Sequence, residues 1–176
     1  METQQVKASK FVINYGLLLG IILVLLGVII YVTNNHLSPH WSFMIVTFSI
    51  IIAVVVFGVK AFKKENGGFL SLGEAIKVAV GVGLIAALLS GAWSVLMTTV
   101  IEPGLTDQAI EIEREKAFES NPNLTDEQWE QGLEMTAVFR QPWFAFTATL
   151  IMYMFIGLII GLIAGAIMKQ KRPYEV

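Results

Sequence analysis

Four long apolar runs constrain this chain more than any other feature. They cover residues 11–32, 42–62, 72–101 and 143–168. A helix that crosses the hydrocarbon core of a bilayer needs about 20 such residues. None of the runs carries an acidic or basic side chain near its midpoint. Charged residues make up only 15% of the 176-residue chain, where a soluble domain has about 25%. The deficit comes from these runs, so the bilayer is the expected solvent, and the length leaves room for one domain. The first run is longer than the apolar part of a signal peptide and no A-x-A-like cleavage site follows it, so we read it as a retained span.

The third run is the longest. About 30 residues in a helix extend roughly 45 Å, some 15 Å more than the core, so its first turns are expected in the headgroup region. Its start is marked by Ser71-Leu72-Gly73-Glu74, the pattern of a reciprocal capping box. Glu74 and Lys77 are spaced to pair on one face. We read them as a helix-end pair at the water boundary, where polar groups cost little, in preference to a gating pair.

Basic residues set the expected orientation. Lys7, Lys10, Lys60, Lys63, Lys64, Lys77, Lys169, Lys171 and Arg172 all fall at the termini or around the connection between the second and third spans. That is nine of the twelve Lys and Arg. Both termini are therefore expected in the cytoplasm. Tyr31, Trp41, Phe43, Trp143 and Phe144 fall at the outer ends of the spans, and Phe11, Tyr15, Phe62 and Phe69 near the inner ones, as headgroup-level aromatics do. Trp93 and Tyr153 lie deeper and are expected inside the bundle.

Residues 102–142 form the one sizeable polar region, expected as an extracytoplasmic helical hairpin. Ten acidic and three basic residues between 102 and 141 give a net charge of −7. Thr106 is expected as an N-cap with Leu105 and Ile110 stapled across it, and Asn121-Pro122-Asn123 breaks the chain. Thr125 and Gln128 form a second capping box, with Leu124 stapled to Trp129. Pro142 ends the second helix or opens the fourth span. Ile110, Ala117, Phe118, Trp129, Leu133 and Phe139 are placed to pack against one another or onto the membrane surface. Glu111, Glu115, Trp129 and Glu130 are the candidates for docking a partner. The simpler alternative, which we favour, is a solvated face that supports orientation. Asn123-Leu124-Thr125 is also a glycosylation sequon, but capping accounts for the same residues.

Small residues four apart are the most specific signal within the spans. Ala79, Gly83, Ala87 and Gly91 form one row on the third, beside a row of Ala86, Ser90, Ser94 and Thr98. Gly157, Gly161 and Gly165 form another on the fourth, and Gly16 and Gly20 a shorter one on the first. Such ridges let helix backbones approach closely in lipid. The first, third and fourth spans are therefore expected in close contact, with the second peripheral. The ridges serve one bundle or one of them serves a dimer, and we favour the bundle.

Motifs of catalysis are missing. With no cysteine, disulfides, thiol chemistry and Cys-ligated metals are excluded, and the redox compartment is undetermined. His36 and His40 flank Pro39, which argues against a helical metal-binding pair, and two more ligands would be needed. No H-E-x-x-H, G-x-S-x-G or phosphate-loop pattern occurs, and Gly81-Val82-Gly83 is helical spacing. Coupled transport usually leaves charge at membrane depth. Asn14, Ser49, Ser90, Ser94, Thr147 and Thr149 are better assigned to hydrogen bonds between helices. Net charge is −2, so no nucleic-acid partner is implied. No cofactor and no enzymatic activity are expected.

The segments GGFLSLGEAIKVAV, IEP at the end of the third run, LTDEQWEQGLEM, and GLIIGLIAGAIMKQKRP resemble, in that order, a family of small bacterial membrane proteins common in the Bacteroidetes. It is catalogued as domain of unknown function 4199. The resemblance covers nearly the whole chain. It implies four helices and a Gram-negative inner membrane, and it brings no catalytic residues.

The expected fold is thus all-α, an integral membrane four-helix bundle with an extracytoplasmic hairpin between its third and fourth spans. The leading function is a non-enzymatic accessory or assembly component, with the lipid bilayer and a membrane-protein partner or second copy as its associates. The alternative is a small transporter or channel subunit with a polar path of Ser90, Ser94 and Thr98 facing Thr147 and Thr149.

Overall fold

The computed structural model describes residues 6–171. Its elements are α1 (Ala8–Val32), α2 (Trp41–Glu65), α3 (Leu72–Leu96), α4 (Leu105–Ser120), α5 (Asp126–Met135) and α6 (Pro142–Met168). A π-helical turn, Met97–Ile101, prolongs α3, and a 3₁₀ turn, Ala137–Arg140, precedes α6. The helices α1, α2, α6 and α3 with its π turn are long and apolar enough to cross a membrane.

Local chemistry explains most helix ends. Asn35 and Asn34 donate back to the carbonyls of Ile30 and Tyr31 at 2.9 and 3.0 Å, closing α1 in a Schellman motif with Asn34 at φ 55°. Gly67, at φ 70°, holds the same place after α2, where Gly68 donates to the Lys63 carbonyl at 2.9 Å. A left-handed pair, Gly67 and Gly68 at φ 70° and 86°, then turns the chain toward α3. The Ser71–Glu74 capping box is present, with the Glu74 N–H 3.2 Å from Ser71 Oγ and the Ser71 N–H 2.7 Å from Glu74 Oε2. The Thr125–Gln128 box opens α5 likewise.

Two ends differ from expectation. Helix α4 begins at Leu105 with Gly104, not Thr106, at the N-cap. The turn closed by Leu105 N–H on the Glu102 carbonyl already leaves Gly104 in helical geometry, so Thr106 falls inside the first turn. The third span also ends in a wide turn. Thr98, Thr99, Val100 and Ile101 are four β-branched residues in succession, which crowd a regular α-helix. The Thr98 and Thr99 hydroxyls bond back to Ser94 and Val95 carbonyls, and the Glu102 N–H closes on Met97 five residues back at 2.8 Å.

Helix α3 is the centre of the bundle. It packs along α1 on one side and along α6 on another, while α1 and α6 do not pack along their lengths. Ala75, Val78, Ala79, Val82, Ala86 and Ala87 of α3 are completely buried. Helix α2 joins through its C-terminal half, where Ile51, Val54, Val55, Val59 and Phe62 are buried, whereas Trp41, Met44 and Ile45 nearer its start are exposed. Phe62 meets Phe11 edge-on at 5.6 Å between ring centroids. Around the outside, Leu25, Ile29, Ile52, Phe57, Ile151, Met152, Phe155 and Ile163 present a belt of large apolar side chains. Water would not tolerate so much contiguous apolar surface, and lipid is the solvent that does.

Candidate functional site

The small-residue ridges meet one another inside the chain. A β-carbon on Gly83 would stand 2.7 Å from the Tyr153 carbonyl, and one on Gly157 2.8 Å from the Ala79 carbonyl. One on Gly161 would stand 2.9 Å from both Ala79 Cβ and Ile76 Cα, and Gly165 faces Leu72 and Ala75. Gly91 lies under the ring of Phe146. This row, with Ala79 and Ala87 buried in it, is thus the α3 side of the contact with α6. Gly16 and Gly20 serve a different face, under the side chains of Ile85 and Leu89. Trp93 packs on Gly27 of α1, and Tyr153 packs against the core.

At the opposite extreme of burial stand α4 and α5, in which no residue is buried. Of the apolar side chains there, Ile110, Ala117, Phe118, Trp129 and Leu133 are half-buried and Phe139 is exposed, so the two helices enclose no core of their own. Glu111, Glu115 and Glu130 are exposed and Trp129 is half-buried. Arg114 joins the two helices, with Nη2 2.7 Å from Asp126 Oδ1 and Nη1 3.5 Å from Glu111 Oε1. Its guanidinium also covers the ring of Phe118 at 5.3 Å. The hydrogen bond to Asp126 holds Arg114 above its ordinary pKa; desolvation opposes it, and the charges of Asp126 and Glu111 add to the rise. Arg140 satisfies the end of α5, donating to the Leu133 carbonyl at 2.8 Å and to Thr136 Oγ1 at 2.7 Å.

At the same end of the bundle, His36 of the loop between α1 and α2 reaches Glu102, the residue that closes the third span. Its Nε2 lies 3.7 Å from Glu102 Oε2, while Gln108 donates to the other oxygen at 3.0 Å. The ring rests against Tyr31 at 5.1 Å, and its buried Nδ1 has no hydrogen-bond partner. No spacing in the sequence pointed to this contact, because two whole spans separate the loop histidine from a span end that only folding brings near it. His40 is occupied elsewhere, accepting from Ser42 at the start of α2. The two histidines do not converge, and among the described residues no three metal-ligating side chains cluster.

The basic end is laced together by different bonds. Leu70 and Gln170 exchange backbone hydrogen bonds at 3.0 and 2.9 Å. Lys63 Nζ donates to the Met168 carbonyl at 2.8 Å, at the C-terminus of α6, and Lys10 pairs with Glu65 at 3.0 Å. The expected Glu74–Lys77 pair is not among the ion pairs of the described residues. The Glu74 carboxylate is turned back onto Ser71, taking its N–H and its hydroxyl, and Lys77 is exposed.

The polar residues within the spans mostly bond to their own helices. Thr147 donates to Trp143 and Thr149 to Ala145, each at 2.8 Å. A carbonyl one turn back is always within reach of a helical hydroxyl. Ser90 donates to Ala86 at 2.9 Å. Asn14, Ser49 and Ser94 face outward.

A family model described as "Protein of unknown function (DUF4199)" matches residues 14–170, nearly the whole chain. The chain belongs to this family. No match was found among curated proteins or among solved structures. For this DUF4199 member, the family description names no activity, so the chemistry has to be argued from its own surfaces.

Proposed function

We propose that the protein is a non-enzymatic accessory or assembly component of the bacterial inner membrane, with both termini cytoplasmic. Its partner surface is the acidic pair α4–α5, on the extracytoplasmic side. The observation that carries this reading is the contrast in burial. The glycine ridges are consumed by contacts within the chain, which leaves them unable to grip a second protein. Helices α4 and α5 bury nothing, yet α5 opens on a capping box and an Arg114–Asp126 link joins the two. An acidic face held in place without a core of its own suits recognition by a basic surface. The transport alternative is less well supported, since Thr147, Thr149 and Thr98 turn their hydroxyls onto their own helices.

The test is site-specific photocrosslinking in cells at Glu111, Trp129 and Glu130, with lipid-facing Ile163 as the control. A discrete protein adduct is expected at the three acidic-pair positions, absent at Ile163 and lost when Glu111 and Glu115 are changed to Lys. Uniform absence of protein adducts, together with substrate flux in reconstituted vesicles, would overturn the reading in favour of transport.

A further inference from the structure

Where the helices reach the basic end, the start of α1, the approach to α3 and the exit of α6 enclose a recess of about 480 Å³. Such a volume suits a small ligand. Lys7, Lys77, Lys169 and Lys171 line it, from three separate parts of the chain. None of these four ammonium groups has an ion-pair or hydrogen-bond partner among the described residues. The acidic side chain in the lining, Glu74, has its carboxylate taken up by the N–H and hydroxyl of Ser71 at 2.7 and 2.8 Å. Four cations thus face one carboxylate that is already hydrogen-bonded, so the recess favours an anion.

A second hollow of about 410 Å³ shares Lys7, Ala8 and Lys77 with the first and continues onto Val12 and Gly81, along the seam of α1 and α3. The path therefore runs from ammonium groups to apolar side chains in the direction of the hydrocarbon. A free anion would use the first part alone. A phosphodiester attached to an acyl chain would use both.

We propose that this recess is a headgroup site for an anionic phospholipid, with one acyl chain lying along the Val12–Gly81 seam. Basic pockets between helices at a membrane boundary are a recurring way of holding such headgroups. The site is independent of the acidic pair and of any protein partner.

The experiment uses the full chain purified in a neutral maltoside detergent. Phosphatidylglycerol, phosphatidylcholine or inorganic phosphate is added, and lipid retention by native mass spectrometry is read beside the thermal midpoint. One phosphatidylglycerol per chain is expected to be retained and to raise the midpoint, with phosphatidylcholine at least tenfold weaker. The K7Q/K77Q/K169Q/K171Q variant, whose lysines are exposed, should keep its helical circular dichroism and lose retention at least tenfold. K77Q/K169Q should show an intermediate loss and serves if the fourfold variant misfolds. K60Q/K64Q, at the same boundary but outside the recess, should retain the lipid as the parent does. Equal retention of the two lipids, or equal losses from the recess and control variants, would overturn the site. Protection by inorganic phosphate equal to that by phosphatidylglycerol would overturn the lipid as its occupant.

Discussion

Gly157 of α6 lies directly against the Ala79 carbonyl of α3, so near that an added β-carbon would stand 2.8 Å from that oxygen and 3.1 Å from Val80 Cα. The obstacle is backbone, which cannot swing aside as a side chain can. In lipid, where helix association depends on close packing, this approach holds the two central helices together. Replacing Gly157 or Gly161 by Ile should cost about 1–3 kcal/mol or more through overpacking. The thermal midpoint in detergent should fall steeply for both variants. A variant that stays folded and loses only an oligomer would show that the ridge serves a second copy instead.

Gly68 and Gly73 separate backbone strain from crowding. A β-carbon at either meets nothing within 4 Å, but Gly68 sits at φ 86° and Gly73 lies in the first turn of α3. Gly68→Ala should destabilise by about 1–2 kcal/mol because a side chain disfavours that conformation. Gly73→Ala should be neutral or stabilise by up to about 1 kcal/mol. Midpoints measured side by side decide it, and equal effects would contradict the strain argument.

His36 keeps a buried ring nitrogen without a partner, and its contact with Glu102 at 3.7 Å is longer than a hydrogen bond. An apolar ring of similar shape removes the orphan nitrogen and preserves the contact with Tyr31. His36→Phe should therefore leave stability at pH 7.5 within about 1 kcal/mol of the parent, or raise it. A loss several times larger would mean that the His36–Glu102 contact is a strong one.

Arg114 is exposed at the junction of α4 and α5, bonded to Asp126 at 2.7 Å. Exposed pairs contribute little to global stability, but this one is the described link between two helices without a core. Arg114→Ala should leave the global midpoint unchanged and speed proteolysis between residues 119 and 126. An unchanged cleavage rate would show that the helices are held by other contacts.

Orientation is read with single cysteines, in a chain that has none of its own. Ser38 and Gln131, both exposed, should react with an impermeant thiol reagent added from the extracytoplasmic side, and Lys64→Cys should not. The reverse pattern would invert the assignment and move α4–α5 into the cytoplasm.

Some of this molecule was legible before folding. Hydropathy marked the four long helices, and the Ser71–Glu74 and Thr125–Gln128 boxes marked two helix starts, because caps are bonds between residues three apart. The Thr106 cap failed for an equally local reason: the turn closed between Glu102 and Leu105 set the helix start first. The β-branched run at Thr98–Ile101 was visible, but whether it widens the helix depends on what surrounds it.

The sequence by itself determined which segments enter lipid and where several of them begin, since burial of apolar side chains and capping act over one helix at a time. The tertiary structure decided which faces meet. It set the α3 row against Gly157 and Gly161, put His36 beside Glu102, and gathered Lys7, Lys77, Lys169 and Lys171 around one recess. These relations join residues far apart in the chain. They depend on how α3 divides its surface between α1 and α6, which no short-range pattern encodes.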